Sequence, residues 1–372
     1  MDEKPVIIIG GGLWGTLLAL RVRSQLPHVP LRLYEAGSQL GEKLAVSFHA
    51  SDVGPEAHAW LSPLISRSWK GFDVHFPRYQ LRNPDRLCTM EPQHFHAVAR
   101  EKLGGEILNF NREITPEEAL QEGSFVIDTM PRGYYHALGY QKTHGLVVRL
   151  LHPHRLEAPV TMDATVSQLQ GFRYLQALPL DEDRLLIKDV RFSSDPQLYH
   201  VDLEPELLLE MHRRRWQIGD IFERETTFRK IPREKTETFH DGRIIRLDGF
   251  VHDITGDALP DAVRLIERMV QTSFRLGELN EVMKSYLAAR SSHRRLLRLM
   301  NRMLYQAKTP CRERYQFFES LHAMPGNIRQ KFYKGDLEFV DLVRTLLHSR
   351  LAPIRRSPLT ALNKNQERVA IV

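Results

Sequence analysis

Three glycines near the start of the chain, Gly10, Gly12 and Gly15, stand in the spacing G-x-G-x-x-G, and Glu35 follows 20 residues after the last of them. These residue types at this spacing can hold a dinucleotide. Gly10 lets the backbone turn sharply off a strand, Gly12 lets it approach a pyrophosphate, and Gly15 lets a helix pack close to that strand. The helix start offers N–H groups and partial positive charge to the phosphates. An acid ending the next strand is placed to accept from ribose hydroxyls. A motif this close to the N-terminus of a two-domain protein holds FAD more often than NAD.

Further polar candidates lie along the chain. Asp128 ends the apolar run SFVID, where a late strand would return to the cofactor. Thr255 and Gly256 sit in a loop before a helix that begins near Pro260, a second place where helix N–H groups could meet the cofactor. Ser47, His49 and Asp52 could wall a site. The 17 histidines form no H-E-x-x-H pair, and two cysteines, Cys88 and Cys311, argue against a disulfide scaffold or a cysteine zinc site.

The elements that must position these groups follow from the apolar pattern. Val6–Ile9 and Leu31–Tyr34 read as buried strands of a parallel sheet. The region from Trp60 to Phe76 is rich in aromatics and ends in the alternation of a half-buried strand, and Met90–Leu103 reads as a helix. Strands at Leu146–Leu151, Pro159–Asp163, Gly171–Leu180 and Arg184–Phe192, with no long helix between them, predict an antiparallel sheet. Pro205–Glu223 reads as helix, Arg243–Ile266 as strand, loop and helix, and Gln271–Ser349 as amphipathic basic helices. The last 20 or so residues show no clear periodicity.

Composition is that of an ordinary globular chain of 372 residues, with 42% apolar and 26% charged residues. The net charge of +6 is uneven, with 15 Lys or Arg against 5 Asp or Glu between Arg290 and Arg356. No nucleic-acid module accompanies it, so an anionic membrane face or a solvated helical surface is the expected use. No secretory signal and no spanning segment is visible, which predicts a cytoplasmic setting.

Several segments together resemble the bacterial lycopene β-cyclases: GGGLWG at 10–15, SFHASD at 47–52, SWKGFDVHFP at 68–77, MDATVSQLQGFRY at 162–174, LPLDEDRLLIKD at 178–189, TGDALPDAVRL at 255–265 and FYKGDLEFVD at 332–341. The resemblance implies an α/β fold with a Rossmann-like FAD-binding domain of the flavoprotein monooxygenase type. An antiparallel substrate sheet and a helical C-terminal region complete it. By this likeness, residues 1–80, 100–145 and 240–275 form the FAD domain, 81–99 and 146–239 the substrate domain, and 276–372 the basic helical region. It further implies reduced, non-covalent FAD with NAD(P)H as a reductant, and lycopene or a related polyene as substrate. The reaction implied by the resemblance is an isomerase-class cyclisation. An acid protonates a terminal double bond, the neighbouring double bond closes a ring on the cation, and a proton leaves. The acid needs an apolar pocket that excludes water, and anionic flavin or aromatic faces can steady the cation. A substrate that lives in the bilayer implies a peripheral membrane protein.

The chain departs from the family where its acidic pair is expected in an L-I-E-D-T pattern, since Leu186-Ile187-Lys188-Asp189-Val190 stands there. Lys188 takes the place of the first acid, and its ammonium would repel a developing cation. Phe250–Leu259 keeps only Thr255, Gly256 and Leu259 of the family run, and Gln170 stands where Asp is common. Strand alternation puts Lys188 with Leu186 and Val190, and Asp189 with Ile187 and Arg191. Asp189 is then the expected acid if a bulge or strand end turns it inward, with Glu182, Asp183 or Asp253 as substitutes. Two other readings stand beside the cyclase: a redox flavoenzyme acting on an apolar substrate, and an altered paralogue that binds flavin or polyene.

Overall fold

Four β-branched residues, Val6–Ile9, form β1, and all four are buried at the centre of a parallel sheet. The computed structural model describes residues 4–130, 136–168, 171–197, 200–232, 240–247, 259–305, 311–334 and part of 336–347. After β1 come α1 (Leu13–Gln25), β2 (Leu31–Tyr34), β3 (Val46–His49), α2 (Ala50–Val53), α3 (Pro55–Leu61), β4 (Arg67–Phe76) and β5 (Tyr79–Met90). Next are α4 (Pro92–Leu103), β6 (Leu108–Asn109), α5 (Pro116–Glu122), β7 (Val126–Asp128), β8 (Ala137–Leu150), β9 (Val160–Asp163), β10 (Phe172–Pro179) and β11 (Arg184–Ser193). The chain continues through α6 (His200–Arg213), β12 (Ile218–Pro232), β13 (His240–Asp241), β14 (Ile244–Arg246), α7 (Leu259–Val270), α8 (Leu276–Ala289), α9 (Ser291–Tyr305), α10 (Cys311–Ala323) and α11 (Gly326–Lys334).

The strands sort into two sheets. The first runs β13-β14-β7-β1-β2-β6, and its five strands from β14 to β6 are parallel. Helices α1 and α7 lay Leu17, Leu18, Leu265 and Ile266 into its core. Gly15 makes the close packing of α1 possible, because a Cβ there would lie 1.9 Å from the Gly10 carbonyl oxygen. The second sheet runs β12-β8-β11-β10-β9-β4-β5-β3 and is antiparallel except for the β4–β9 pair. It draws on β3, β4 and β5 from the first 90 residues as well as on β8 to β12.

The strand expected from alternation up to Phe76 is present as β4, and those expected near Leu146–Leu151, Pro159–Asp163, Gly171–Leu180 and Arg184–Phe192 lie in β8, β9, β10 and β11. The expected helix over Pro205–Glu223 is present only in its first part: α6 stops at Arg213, Arg215 takes φ +59°, and β12 begins at Ile218. Residues 218–232 include Ile, Phe and Thr, which fit a pleated surface, and pairing along nearly all of β8 outweighs the local helical look.

The basic C-terminal helices cover one face of the second sheet. Leu297, Met300 and Leu304 of α9 and Phe318 and Leu321 of α10 join Phe172, Tyr174, Leu186, Val190 and Phe192 in one core. Phe172 stacks on Phe318 with ring centres 4.6 Å apart. The opposite face packs Leu175, Leu185 and Ile187 against Leu207 and Met211 of α6. Among the described residues no helix is long and apolar enough to cross a membrane.

Candidate functional site

The glycine turn lies at the carboxyl ends of the parallel strands, where open α/β sheets bind ligands. Gly10 needs its lack of side chain for conformation, with φ +96° and a Cβ that would meet Thr129 Oγ1 at 2.6 Å. Gly12 is different. Its φ is −64°, and the nearest atom to an added Cβ is Glu42 Oε1 at 3.6 Å. Nothing inside the fold requires glycine at that position, and the missing side chain leaves the backbone open to close approach from the outer side.

Glu35 ends β2 beside this turn. Its Oε2 accepts from Gly11 N and its Oε1 from Gly37 N, both at 2.7 Å. Each carboxylate oxygen retains lone-pair capacity for a ribose hydroxyl. Asp128 ends β7 at the same edge, paired in register with Ile9, and its Oδ1 accepts from Met130 N at 3.1 Å. Helix α1 has no capping side chain at Gly12 and no acid in its first turn. The anion at its N-terminus is Glu42, which comes from the following loop and accepts from Leu13 N at 3.4 Å. A carboxylate resting there shows that this end attracts negative charge. The cradle therefore fits a dinucleotide pyrophosphate, with Glu42 as the group that a phosphate must displace. Thr255, Gly256 and Asp253 lie outside the described residues, as does Gln170.

Lys188 and Asp189 diverge as strand alternation requires. Strand β11 pairs with β10 residue for residue from Phe192 to Leu185, and with β8 over its whole length, so no bulge turns Asp189 round. Lys188 is buried, and its Nζ donates to the Ala45 carbonyl at 2.5 Å. Burial pushes its pKa down to about 8. Asp189 faces α6 and is fully buried between two guanidinium groups. Arg173 Nη2 and Arg191 Nη2 each donate to its Oδ2 at 2.7 Å, and both arginines reach Glu206 as well. Burial acts to lower the Arg191 pKa, but the bonds and charges of Asp189 and Glu206 outweigh it and hold the group above its usual value. A 210 Å³ cavity on this side is lined by Arg173, Arg191 and Arg213, and Asp189 is not among its lining residues. The expectation that Asp189 turns inward as the acid is thus corrected: its condition is not met, and the carboxylate is committed to two arginines. Glu182 is exposed in the turn between β10 and β11, and Asp183 in the same turn pairs with Arg149 at 3.7 Å.

The Lys188 side holds the larger cavity, about 340 Å³, between the loop Lys43-Leu44-Ala45, the start of α4, and the sheet at Gly145, Val147, Leu186, Glu223 and Glu225. Register explains this arrangement: Lys188 pairs with Gly145, and Gly145 pairs with Glu225, so the three form one row across β11, β8 and β12. Leu44 rests over the glycine, where a Cβ would lie 2.9 Å from Leu44 Cδ2. Sequence reasoning missed Gly145, Glu223 and Glu225. The alternation of two acids at 223 and 225 was the available signal, and a helical reading of that stretch hid it.

The other sequence candidates form a second polar group. His49 Nδ1 and Asp52 Oδ2 are 2.9 Å apart, and the His49 ring stacks on Phe72. Tyr333 packs edge-on to His49 and hydrogen-bonds His322 Nε2 at 2.7 Å. Burial lowers the His322 pKa to about 4. Ser47 bonds Thr89 at 2.8 Å within the β3–β5 pair.

The parallel sheet with its glycine turn, joined to a large second sheet, is the fold of FAD-dependent flavoproteins. It is shared with a geranylgeranyl bacteriochlorophyll reductase-like protein of Thermoplasma acidophilum (TM-score 0.61, 9% identity, covering 98% of this chain and 99% of that one). Klebsiella pneumoniae HpxO complexed with FAD is also similar (TM-score 0.55, 14% identity, 96% and 100% covered). Within that class the chain belongs to the lycopene cyclase protein family, whose sequence model matches residues 5–359. A lycopene beta-cyclase of Pseudescherichia vulneris is 31% identical, covering 98% of this chain and 99% of the relative. One of Pantoea ananas is 28% identical, with 94% and 95% covered.

Proposed function

We propose that the protein is a flavin-dependent lycopene β-cyclase, closing β-rings on the linear ends of lycopene without net redox change. The observation that carries this is the full-length match to relatives named lycopene beta-cyclase. The cradle supports the cofactor assignment. Gly10, Gly12 and Gly15 would receive the FAD pyrophosphate, Glu35 the ribose, and Asp128 with Thr255 and Gly256 the remainder. Reduced FAD, once bound, would supply negative charge beside a cationic intermediate, with NAD(P)H as the source of electrons.

The chain's own residues do the rest. The cavity beside Leu44, Ala45 and Leu186 would receive a polyene end, with charged groups of Lys43, Arg67, Arg184, Glu223 and Glu225 around it. Lys188, held on Ala45, fastens the cavity loop to the sheet. Its positive charge weakens catalysis relative to an acid at that position. The basic C-terminal helices would bring the protein to a membrane surface, where the substrate dissolves. Expression in lycopene-accumulating cells, followed by chromatography of the pigments, tests the reading. Monocyclic or bicyclic β-ring products are expected. Unchanged lycopene beside folded, flavin-loaded protein would refute it.

A further inference from the structure

A cyclase needs a proton donor at the polyene end, and neither residue at the expected acidic position supplies one. Lys188 is an amine tied to a carbonyl, and Asp189 faces the other side of the sheet between two arginines. Three carboxylates line the 340 Å³ cavity: Glu91, Glu223 and Glu225. Glu91 accepts from Arg67 Nε at 2.9 Å, and Glu223 from Gln93 Nε2 at 2.9 Å. Glu225 alone of the three has no hydrogen-bond or ion-pair partner among the described residues. It is half-buried, and it stands in the same row as Lys188 with only Gly145 between them. Two strand spacings separate the Lys188 and Glu225 backbones, roughly 10 Å. The missing side chain at Gly145 makes room for Leu44, whose Cδ2 would lie 2.9 Å from a Cβ there, so the cavity loop packs down onto the row between Lys188 and Glu225.

We propose that Glu225 is the catalytic acid of the ring closure, two strands away from the position where the family pattern places it. This rests on the cyclase reading. The Glu225 O–H bond breaks as its proton forms a C–H bond at the terminal double bond of the polyene. The tertiary cation left behind is attacked by the neighbouring double bond, which forms the ring C–C bond. The adjacent ring carbon then loses a proton to the Glu225 carboxylate, restoring the acid. One proton enters and one leaves, no electrons are exchanged, and the product is an isomer of the substrate. The cavity is in the range that accepts one small-molecule group, so the polyene end enters it and the remaining chain stays outside.

Glu225→Gln, Glu225→Asp and a control on the opposite face, Glu204→Gln, would be expressed as full-length chains in lycopene-producing cells. Ring products would be measured per amount of folded protein, with flavin content and melting temperature determined on the purified variants. Glu225→Gln is expected to lower ring products more than 100-fold with flavin content unchanged, while Glu204→Gln stays within threefold of wild type. Glu225→Asp retracts the carboxyl by one methylene and is expected to lower them more than tenfold, which decides the matter if the Gln variant does not fold. A loss of less than tenfold in a folded Glu225 variant, from a wild type that forms rings, overturns the role of Glu225 and leaves the cyclase reading standing. A wild type that forms no rings overturns both.

Discussion

Lys188 and Asp189 are adjacent in the chain and serve opposite faces of one sheet: the ammonium bonds the Ala45 carbonyl on the cavity side, and the carboxylate bonds Arg173 and Arg191 on the α6 side. The strand stays regular here because β11 is paired on both edges, with β10 and with β8. Two charges that look like one motif in sequence therefore carry separate consequences.

Asp189→Asn is expected to act on stability. It removes one buried charge and leaves two buried guanidinium groups undercompensated, a change that costs about 3–5 kcal/mol when a buried pair loses one member. Urea denaturation of the purified variant checks this. Stability equal to wild type would mean that Glu206 alone satisfies both arginines.

Lys188 makes stability depend on alkaline pH. Its folded pKa, about 8, is below the 10.5 of an exposed lysine, so its contribution is most favourable above pH 10.5 and is lost as pH falls through 8. At neutral pH the buried ammonium costs roughly 3 kcal/mol by this shift, partly offset by the bond to Ala45. Lys188→Met is expected to unfold at higher urea than wild type at pH 7, with the difference shrinking by pH 10.5. A difference independent of pH would exclude a titrating Lys188.

The same position bears on activity. Lys188→Glu removes a positive charge from the side of the sheet where the cation is proposed to form and sets a second carboxyl across Gly145 from Glu225. Ring products in lycopene-producing cells are expected to rise at least fivefold over wild type. A fall would mean that the strut to Ala45 matters more than the charge.

The glycines of the cradle separate by cause. Gly15→Ala places a methyl against the Gly10 carbonyl and is expected to lower the melting temperature sharply. Gly12→Ala is expected to leave melting almost unchanged while weakening FAD binding at least tenfold in a flavin fluorescence titration. Glu42→Gln, which removes the carboxylate resting at the α1 N-terminus, is expected to tighten FAD binding several-fold. Identical FAD affinities in all three would refute the cradle.

Helix α9 turns Arg295, Leu299 and Arg302 outward while Leu297, Met300 and Leu304 enter the core, and Leu299 is 45% exposed. Binding to anionic vesicles is expected to fall as salt rises from 0.1 M to 1 M, since the Debye length shrinks from about 10 Å to about 3 Å. Reversal of the three charges Arg295, Arg298 and Arg302 is expected to abolish it. Equal partition to neutral and anionic vesicles would remove the electrostatic part.

What the sequence determined by itself was local. The glycine spacing, the β-branched run before it and Glu35 20 residues later define a cradle whose geometry depends on one turn and two neighbouring strands. The opposite orientation of Lys188 and Asp189 follows from the two-residue period of any strand. Tertiary structure decided what each face meets. Asp189 finds Arg191 two residues away, but Arg173 only through the β10–β11 register, and Glu225 joins the Lys188 row only because β12 and β11 both pair with β8. The end of α6 at Arg213 was likewise settled by the long pairing of β12 with β8, since a strand's stability comes from partners distant in sequence, which no local window contains.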